Sequence, residues 1–165
     1  MVEISLQTAA DEAAIENLMD GAFGAARHSR SVWMLRLLPP VADLSLVLRD
    51  GGAIVASLRF WDVQLGSQIV LLLGPLAVQP ELRGKGYGRK IVADGLSRAR
   101  AINKWPLVLV SGEPEYYPKF GFEPALPYQL DWPGFIEPER LQILELQAGA
   151  LASLAPPLRV RAKVK

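Results

Sequence analysis

Residues 80–90 read PELRGKGYGRK. Three glycines, Gly84, Gly86 and Gly88, fall within five positions, and four cations surround them: Arg83, Lys85, Arg89 and Lys90. Glycine lets backbone N–H groups turn toward a ligand and lets that ligand come close. A helix opening here adds about half a positive charge at its first turn. The chemistry implied is capture of an anion, and the same residues also describe a plain surface turn ahead of a helix. Two familiar phosphate motifs do not fit. A P-loop requires G-x-x-x-x-G-K-[ST], and a dinucleotide fingerprint requires G-x-G-x-x-G with an acidic residue closing a βαβ unit; the chain has G-x-G-x-G and no such acid.

The preceding run, IVLLLGPLAV from Ile69 to Val78, carries Pro75 inside an otherwise apolar strand. Proline has no N–H, so a central strand holding it must bulge or part from a neighbour. Gly74-Pro75 therefore predicts a splayed gap in the sheet beside the anion-binding turn. A long ligand with a phosphate end and an amide-bearing arm suits that pair of features, and coenzyme A has that shape.

The elements that must position these residues follow from periodicity. Val2, Ile4 and Leu6 alternate with polar residues as a strand does. Thr8 caps a helix running to about Phe23, with Ala14, Ile15, Leu18, Met19 and Ala22 on its inner stripe. A second helix is expected over about Val32–Leu38, ending at Pro39-Pro40. Two strands join at Asp50-Gly51-Gly52, and a turn at Gly66-Ser67 leads into a third, Gln68–Val78. The helix after the glycine turn puts Tyr87, Ile91, Gly95 and Ala99 on one face. LVLVS, 107–111, is apolar throughout, as a mid-sheet strand is. A short helix near 113–119 and strands at Phe122–Leu130 and Leu141–Leu146 complete the reading. The fold class is α/β (α+β): a three-layer domain on a mixed central sheet, splayed at the strand ending near Val78 and flanked by about four helices. The domain is expected over 1–147, with 148–165 as a tail or extra edge strand. LRVRAKVK at its end suits a frayed tail or an edge strand paired within a homodimer.

Composition removes several functions. The 165 residues hold 18 Lys+Arg against 17 Asp+Glu, so no charge excess calls for nucleic acid or an anionic membrane. The absence of cysteine and the single histidine, His28, argue against a thiolate nucleophile and a Cys- or His-based metal site. The start lacks a signal-peptide pattern and the longest apolar run is too short to span a bilayer, which points to the cytoplasm.

Two stretches carry a family resemblance. LGPLAVQPELRGKGYGRKIV resembles motif A of the acyl-CoA N-acyltransferase (GNAT) superfamily, with RGKGYG, 83–88, matching R/Q-x-x-G-x-G/A. EYYPKFGFEPA, 115–125, resembles motif B, with Tyr117 five residues before Phe122. The doubled tyrosine and G-P-L-A-V resemble a bacterial branch of predicted N-acetyltransferases. The resemblance covers about Leu44 to Ala125 well and the last forty residues poorly. It implies acetyl-CoA as co-substrate and no metal. It also implies that the backbone of Leu76, Ala77 and Val78 binds pantetheine, and that Arg83, Gly84, Lys85, Gly86, Tyr87 and Gly88, with Arg89 near, bind the pyrophosphate.

The reaction implied is attack of a primary amine, on a small molecule or a peptide, at the thioester carbonyl, with a backbone N–H near Leu76, left unpaired by the bulge, holding the oxyanion. In the family pattern Tyr117 hydrogen-bonds or protonates the leaving sulfur; Tyr116 is then the packing member of the pair, and packing aromatics also explain both. Many family members carry Glu on the strand before the phosphate turn. Ile69–Val78 holds no carboxylate, which leaves water relayed to a backbone carbonyl, to Asp62 or to Glu113. Acceptor recognition falls to 24–36, with Arg27, His28, Arg30, Trp33 and Arg36, and to 127–138, with Tyr128, Trp132 and Phe135; a surface loop and a core stripe explain the same residues. The competing function is a non-catalytic acyl-CoA-binding regulatory module. ATP binding is disfavoured by the missing Walker sequence.

Overall fold

The computed structural model describes residues 1–24 and 31–163. Its strands are β1 (Val2–Leu6), β2 (Leu46–Asp50), β3 (Ala53–Leu65), β4 (Gln68–Val78), β5 (Leu107–Ser111), β6 (Glu123–Pro124), β7 (Leu130–Asp131), β8 (Leu141–Glu145) and β9 (Leu158–Ala162). Two α-helices, α1 (Glu12–Phe23) and α2 (Tyr87–Ile102), pack on them. The main sheet runs β1-β2-β3-β4-β5-β8-β6 and is antiparallel except for the β4–β5 pair. β9 pairs antiparallel with Val63–Leu65 of β3 and parallel with β7.

The long hairpin β3–β4 is the spine, and each face of it has its own core. Leu58 and Phe60 of β3 and Leu71 and Leu73 of β4 meet Ile91, Val92, Leu96 and Ala99 of α2. Trp61, Val63, Leu65, Val70 and Leu72 point the other way, onto Leu35, Trp132 and Val160. Further along that second face, Ile15, Leu18 and Met19 of α1 cover Val47 and Ala77. Residues 150–158 pack on the same core through Ala150, Leu151, Leu154 and Leu158. The three expected layers are present.

Four details depart from expectation. Among the described residues two α-helices, not about four, cover the sheet. Val32–Leu38 and 113–119 instead hold the 3₁₀ turns Ser31–Leu35 and Tyr117–Phe120. Segments this short gain too few hydrogen bonds to offset the cost of starting an α-helix. The expected strand Phe122–Leu130 breaks into β6, a 3₁₀ turn at Leu126–Tyr128, and β7; Pro124 and Pro127 remove two donors from any continuous ladder. Ala14 is exposed rather than on the inner stripe of α1.

The α2 seat is tight. A Cβ at Gly95 would stand 2.7 Å from the Phe60 ring and 3.1 Å from Leu58, and both side chains are fully buried. Overpacking of this kind costs about 1–3 kcal/mol, against a gain of roughly 1 kcal/mol in helix propensity. Gly95→Ala is therefore expected to lower the unfolding free energy by about 1 kcal/mol net, read as a lower urea midpoint, and Gly95→Leu by considerably more. A midpoint that rises in Gly95→Ala would refute this packing.

Candidate active site

β4 changes its pairing at Gly74-Pro75. Leu58 opposes Leu76 and Phe60 opposes Leu73, so β4 carries one residue more than β3 between those two pairs, a β-bulge. The extra residue reverses the inside–outside alternation. Leu76 and Val78 thereby join Leu71 and Leu73 on the α2 face, while Ala77 turns under α1. On its other edge β4 pairs with β5 only from Leu71 to Leu73. Past that point the strands part, and Gly74–Val78 present an edge with no strand partner on the β5 side among the described residues. The indole N–H of Trp61 donates to the Gly74 carbonyl at 2.5 Å and anchors the bulge.

A cavity of about 800 Å³ fills this gap. Its walls are Gly74, Pro75, Leu76 and Val78 of β4, the β5 end from Val110 to Gly112, and the turn leading into α2. Gly86 caps α2 in the left-handed region at φ 86°. Gly88 is needed for room: a Cβ there would stand 2.8 Å from the Tyr116 hydroxyl, against the side chains of Val78 and Leu76. Of the proposed pyrophosphate residues, Arg83, Gly84, Gly86, Tyr87, Gly88 and Arg89 line the cavity and Lys85 does not. The Tyr87 hydroxyl donates to Asp50, tying the start of α2 to the β2–β3 turn. That bond and burial raise the Tyr87 phenol, and the same bond lowers Asp50.

Tyr116 and Tyr117 both line the cavity. Tyr117 is 8% exposed and lies on Gly112, where even a methyl group would collide with its ring. It packs edge-on against Tyr116 and Phe122 at centroid separations of 5.1 and 5.6 Å. Burial pushes its phenol far above the usual value, so it holds its proton at any physiological pH. Tyr116 is half-buried, with the Lys119 ammonium 4.1 Å from its ring centre. Burial raises its phenol while the Arg89 charge pulls the other way. Tyr116 is therefore more than filler: its hydroxyl sits where β4 faces the start of α2.

The remaining candidates separate clearly. Trp33 and Arg36 line the cavity. Arg27, His28 and Arg30 lie outside the described residues. Trp132 is buried in the core on the far side of the sheet, its indole N–H donating to Ser31, and it is not part of the cavity wall. Tyr128 and Phe135 are likewise absent from that wall; Tyr128 donates to Glu123, and Phe135 is exposed. Asp62 accepts from Trp105 at 2.7 Å and from Lys163 at 3.2 Å, away from the cavity. Glu113 does reach the wall, ion-paired with Arg140 at 3.0 Å. Arg140 and Lys119 are wall residues that sequence reasoning missed. Lys119 lies inside the quoted tyrosine stretch, whereas Arg140 reaches the cavity from a distant loop and has no local signal.

Among the described residues, then, five cations (Arg36, Arg83, Arg89, Lys119 and Arg140) face this cavity with one carboxylate, Glu113. No group of three or more His, Cys, Asp or Glu gathers among them, and no helix is long and apolar enough to cross a membrane. The site is an electropositive cleft with a free strand edge, a glycine-lined helix start and two phenols.

Comparison with known proteins places this architecture. The family model described as an acetyltransferase (GNAT) domain matches residues 42–124. The N-acetyltransferase YjhQ of Escherichia coli K12 is 35% identical over 86 residues, covering 50% of this chain and 47% of that protein. The N-acetyltransferase YhbS of the same strain is 33% identical over 89 residues, covering 52% and 53%. The chain thus spans about half the length of the curated relatives it matches. The crystal structure of Escherichia coli YhbS in complex with CoA aligns with a TM-score of 0.79 at 26% identity, over 96% of this chain and 88% of that one. A GNAT acetyltransferase from Brucella melitensis, solved with acetyl-CoA, shares the fold at a TM-score of 0.73 and 24% identity, over 99% and 96%. The chain belongs to the GNAT acetyltransferase family.

Proposed function

We propose that this protein is an acetyl-CoA-dependent N-acetyltransferase that acts on a primary amine of a small molecule or peptide. The observation that carries the reading is the meeting of the β4 bulge and the glycine-rich start of α2 on one cavity. The CoA bound by the structurally similar YhbS supports it. Pantetheine would lie along the free edge of Leu76–Val78, and the pyrophosphate at the N–H groups of Gly84–Arg89, with Arg83 and Arg89 beside it.

The amine nitrogen attacks the thioester carbonyl carbon. A C–N bond forms, the C–S bond breaks, and the nitrogen's proton leaves to water, to a backbone carbonyl or to Glu113 at the rim. Negative charge on the carbonyl oxygen meets the Leu76 backbone N–H. The raised phenol of Tyr117 supports hydrogen bonding over full proton donation. An ordinary thiol titrates near ~8.5, so a phenol held far above 10 is the weaker acid, and full proton transfer to the thiolate runs uphill. Tyr117 acts as a hydrogen-bond donor to the developing sulfur anion. A non-catalytic acyl-CoA-binding module is favoured by one observation, the absence of a carboxylate on β4; thiol release from acetyl-CoA across a broad amine panel separates the two.

Calorimetry is expected to show acetyl-CoA binding more tightly than ATP; equal affinities would remove the case for a CoA site. Gly86→Val puts a β-branched residue at φ 86° and a side chain in the phosphate path. It should weaken CoA binding at least tenfold (about 1.4 kcal/mol) while circular dichroism stays native. A folded variant with parental affinity would rule out this turn.

Tyr117→Phe should lower kcat by about 10²–10³ with little change in acetyl-CoA affinity, since the lost bond forms mainly in the transition state. Tyr116→Phe, beside the path to α2, should act instead on the acetyl-CoA KM. The reverse pattern would exchange the two assignments. A second readout needs no acceptor. Below pH 10 native and unfolded chains both keep the Tyr117 proton; above it the unfolded chain ionises and the native one does not, so stability falls as pH rises. Tyr117→Phe should flatten that fall in urea titrations, and an unchanged slope would mean the hydroxyl is solvated.

A further inference from the structure

We infer that Asp50, which is not part of the cavity wall, holds the anion-binding turn in its binding shape. This rests on the CoA reading and adds a positioning residue to it: Asp50 acts through Tyr87 and touches no ligand itself. The turn from Gln79 to Tyr87 stands on the β2–β3 hairpin with a foot at each end. At the first foot the Gln79 backbone N–H donates to the Val55 carbonyl at 2.9 Å, and its side-chain amide donates to the Ile54 carbonyl at 3.1 Å. At the second foot the Tyr87 hydroxyl donates to Oδ2 of Asp50. Asp50 is itself fixed by the ladders, opposite Val2 of β1 and Ala53 of β3. Its other oxygen, Oδ1, faces the Met1 amino group at 3.6 Å.

The second foot matters because the span between the two is built on glycine. Gly84 and Gly86 lie at φ 85° and 86°, and a Cβ on either would meet nothing within 4 Å. The Leu82 and Arg83 N–H groups donate back to Gln79 and Pro80; beyond them the turn is set by the helix start that follows. An ordinary helix start is held by a Ser, Thr or Asp side chain that accepts from the first N–H groups. Such a cap would occupy the donors that a phosphate needs. Gly86 has no side chain to cap with, and no acidic residue stands in the first turn of α2. The Tyr87–Asp50 bond supplies the hold from one side and leaves those N–H groups to the ligand. A turn already held loses less conformational freedom on binding, which raises affinity. The Asp50 charge alone would repel phosphates, so a positioning role and a bare charge effect have opposite signs.

The test is calorimetric titration with CoA of wild type, Asp50→Ala, Asp50→Asn, Tyr87→Phe and the Asp50→Ala Tyr87→Phe double variant, with hydrogen exchange measured on each unliganded protein. Loss of a hydrogen bond to a carboxylate is expected to weaken CoA about 3- to 30-fold in Asp50→Ala. Asp50→Asn keeps an acceptor and should recover most of that loss. The double variant should bind no more weakly than the worse single one, because both substitutions break one bond. Amides of 83–90 should exchange faster in unliganded Asp50→Ala and regain protection at saturating CoA, while the β2–β3 hairpin keeps its protection. Asp50→Ala that binds CoA as wild type does, or more tightly, would overturn the assignment and leave the CoA site standing; tighter binding would mean that the carboxylate acts by repulsion. Additive losses in the double variant, or faster exchange spread over the hairpin, would also overturn it, the first because the two residues then act separately, the second because the role is then general stability. A wild-type protein that binds no CoA would overturn both this inference and the CoA reading.

Discussion

One added residue in β4 governs the rest of the molecule. Without the bulge at Gly74-Pro75, Leu76 and Val78 would face α1 and Ala77 would face the cleft, and β4 would have no reason to leave β5 after Leu73. The bulge opens the cavity and turns a strand edge toward it. It also puts the Gly74 carbonyl within reach of Trp61, whose ring then seats Arg36. Packing on both faces holds this arrangement. Phe60 and Leu58 lock α2 above, and α1 and Trp61 lock the strand below. A β-bulge is costly in an exposed hairpin; here it sits between two buried layers that leave it one geometry.

The electrostatic layout follows from the same break. Cations concentrate at the gap because four separated segments reach it: the turn 31–36, the start of α2, and the two loops carrying Lys119 and Arg140. The α2 start offers backbone donors and a partial positive charge, which suit a phosphate held by shape. Arg36 lies instead at the Gly74 end of the same segment, stacked between the Trp33 and Trp61 rings.

Much of the fold was legible because its strongest signals are local. The Gly51-Gly52 and Gly66-Ser67 turns, the apolar 107–111 strand and the α2 face all follow from periodicity and turn chemistry, and they form as read. Pro75 alone announced the gap, since a proline in a central strand leaves few alternatives. The 3₁₀ turns were misread because a seven-residue amphipathic stretch carries the same periodicity whether or not it closes a full α-turn. Trp132 looked like an acceptor residue because an aromatic beside glycine and proline reads alike in a loop and in a core; only the β9 and 31–35 contacts decide it. The Trp33–Arg36–Trp61 stack joins residues far apart in the chain, and no spacing rule in sequence brings position 61 to position 36.

The carboxylate missing from β4 gains a physical meaning within this layout. In the proposed reaction a strand without a carboxylate supplies no side-chain base, so the proton of the nucleophile would leave by solvent or along the Glu113–Arg140 rim. Glu113 is largely exposed and already paired at 3.0 Å, so it serves better as a wet exit for a proton than as a buried base. Such a site would gain less from proton abstraction and more from orientation: an amine held against a thioester that is fixed along the β4 edge reacts from a near-attack geometry.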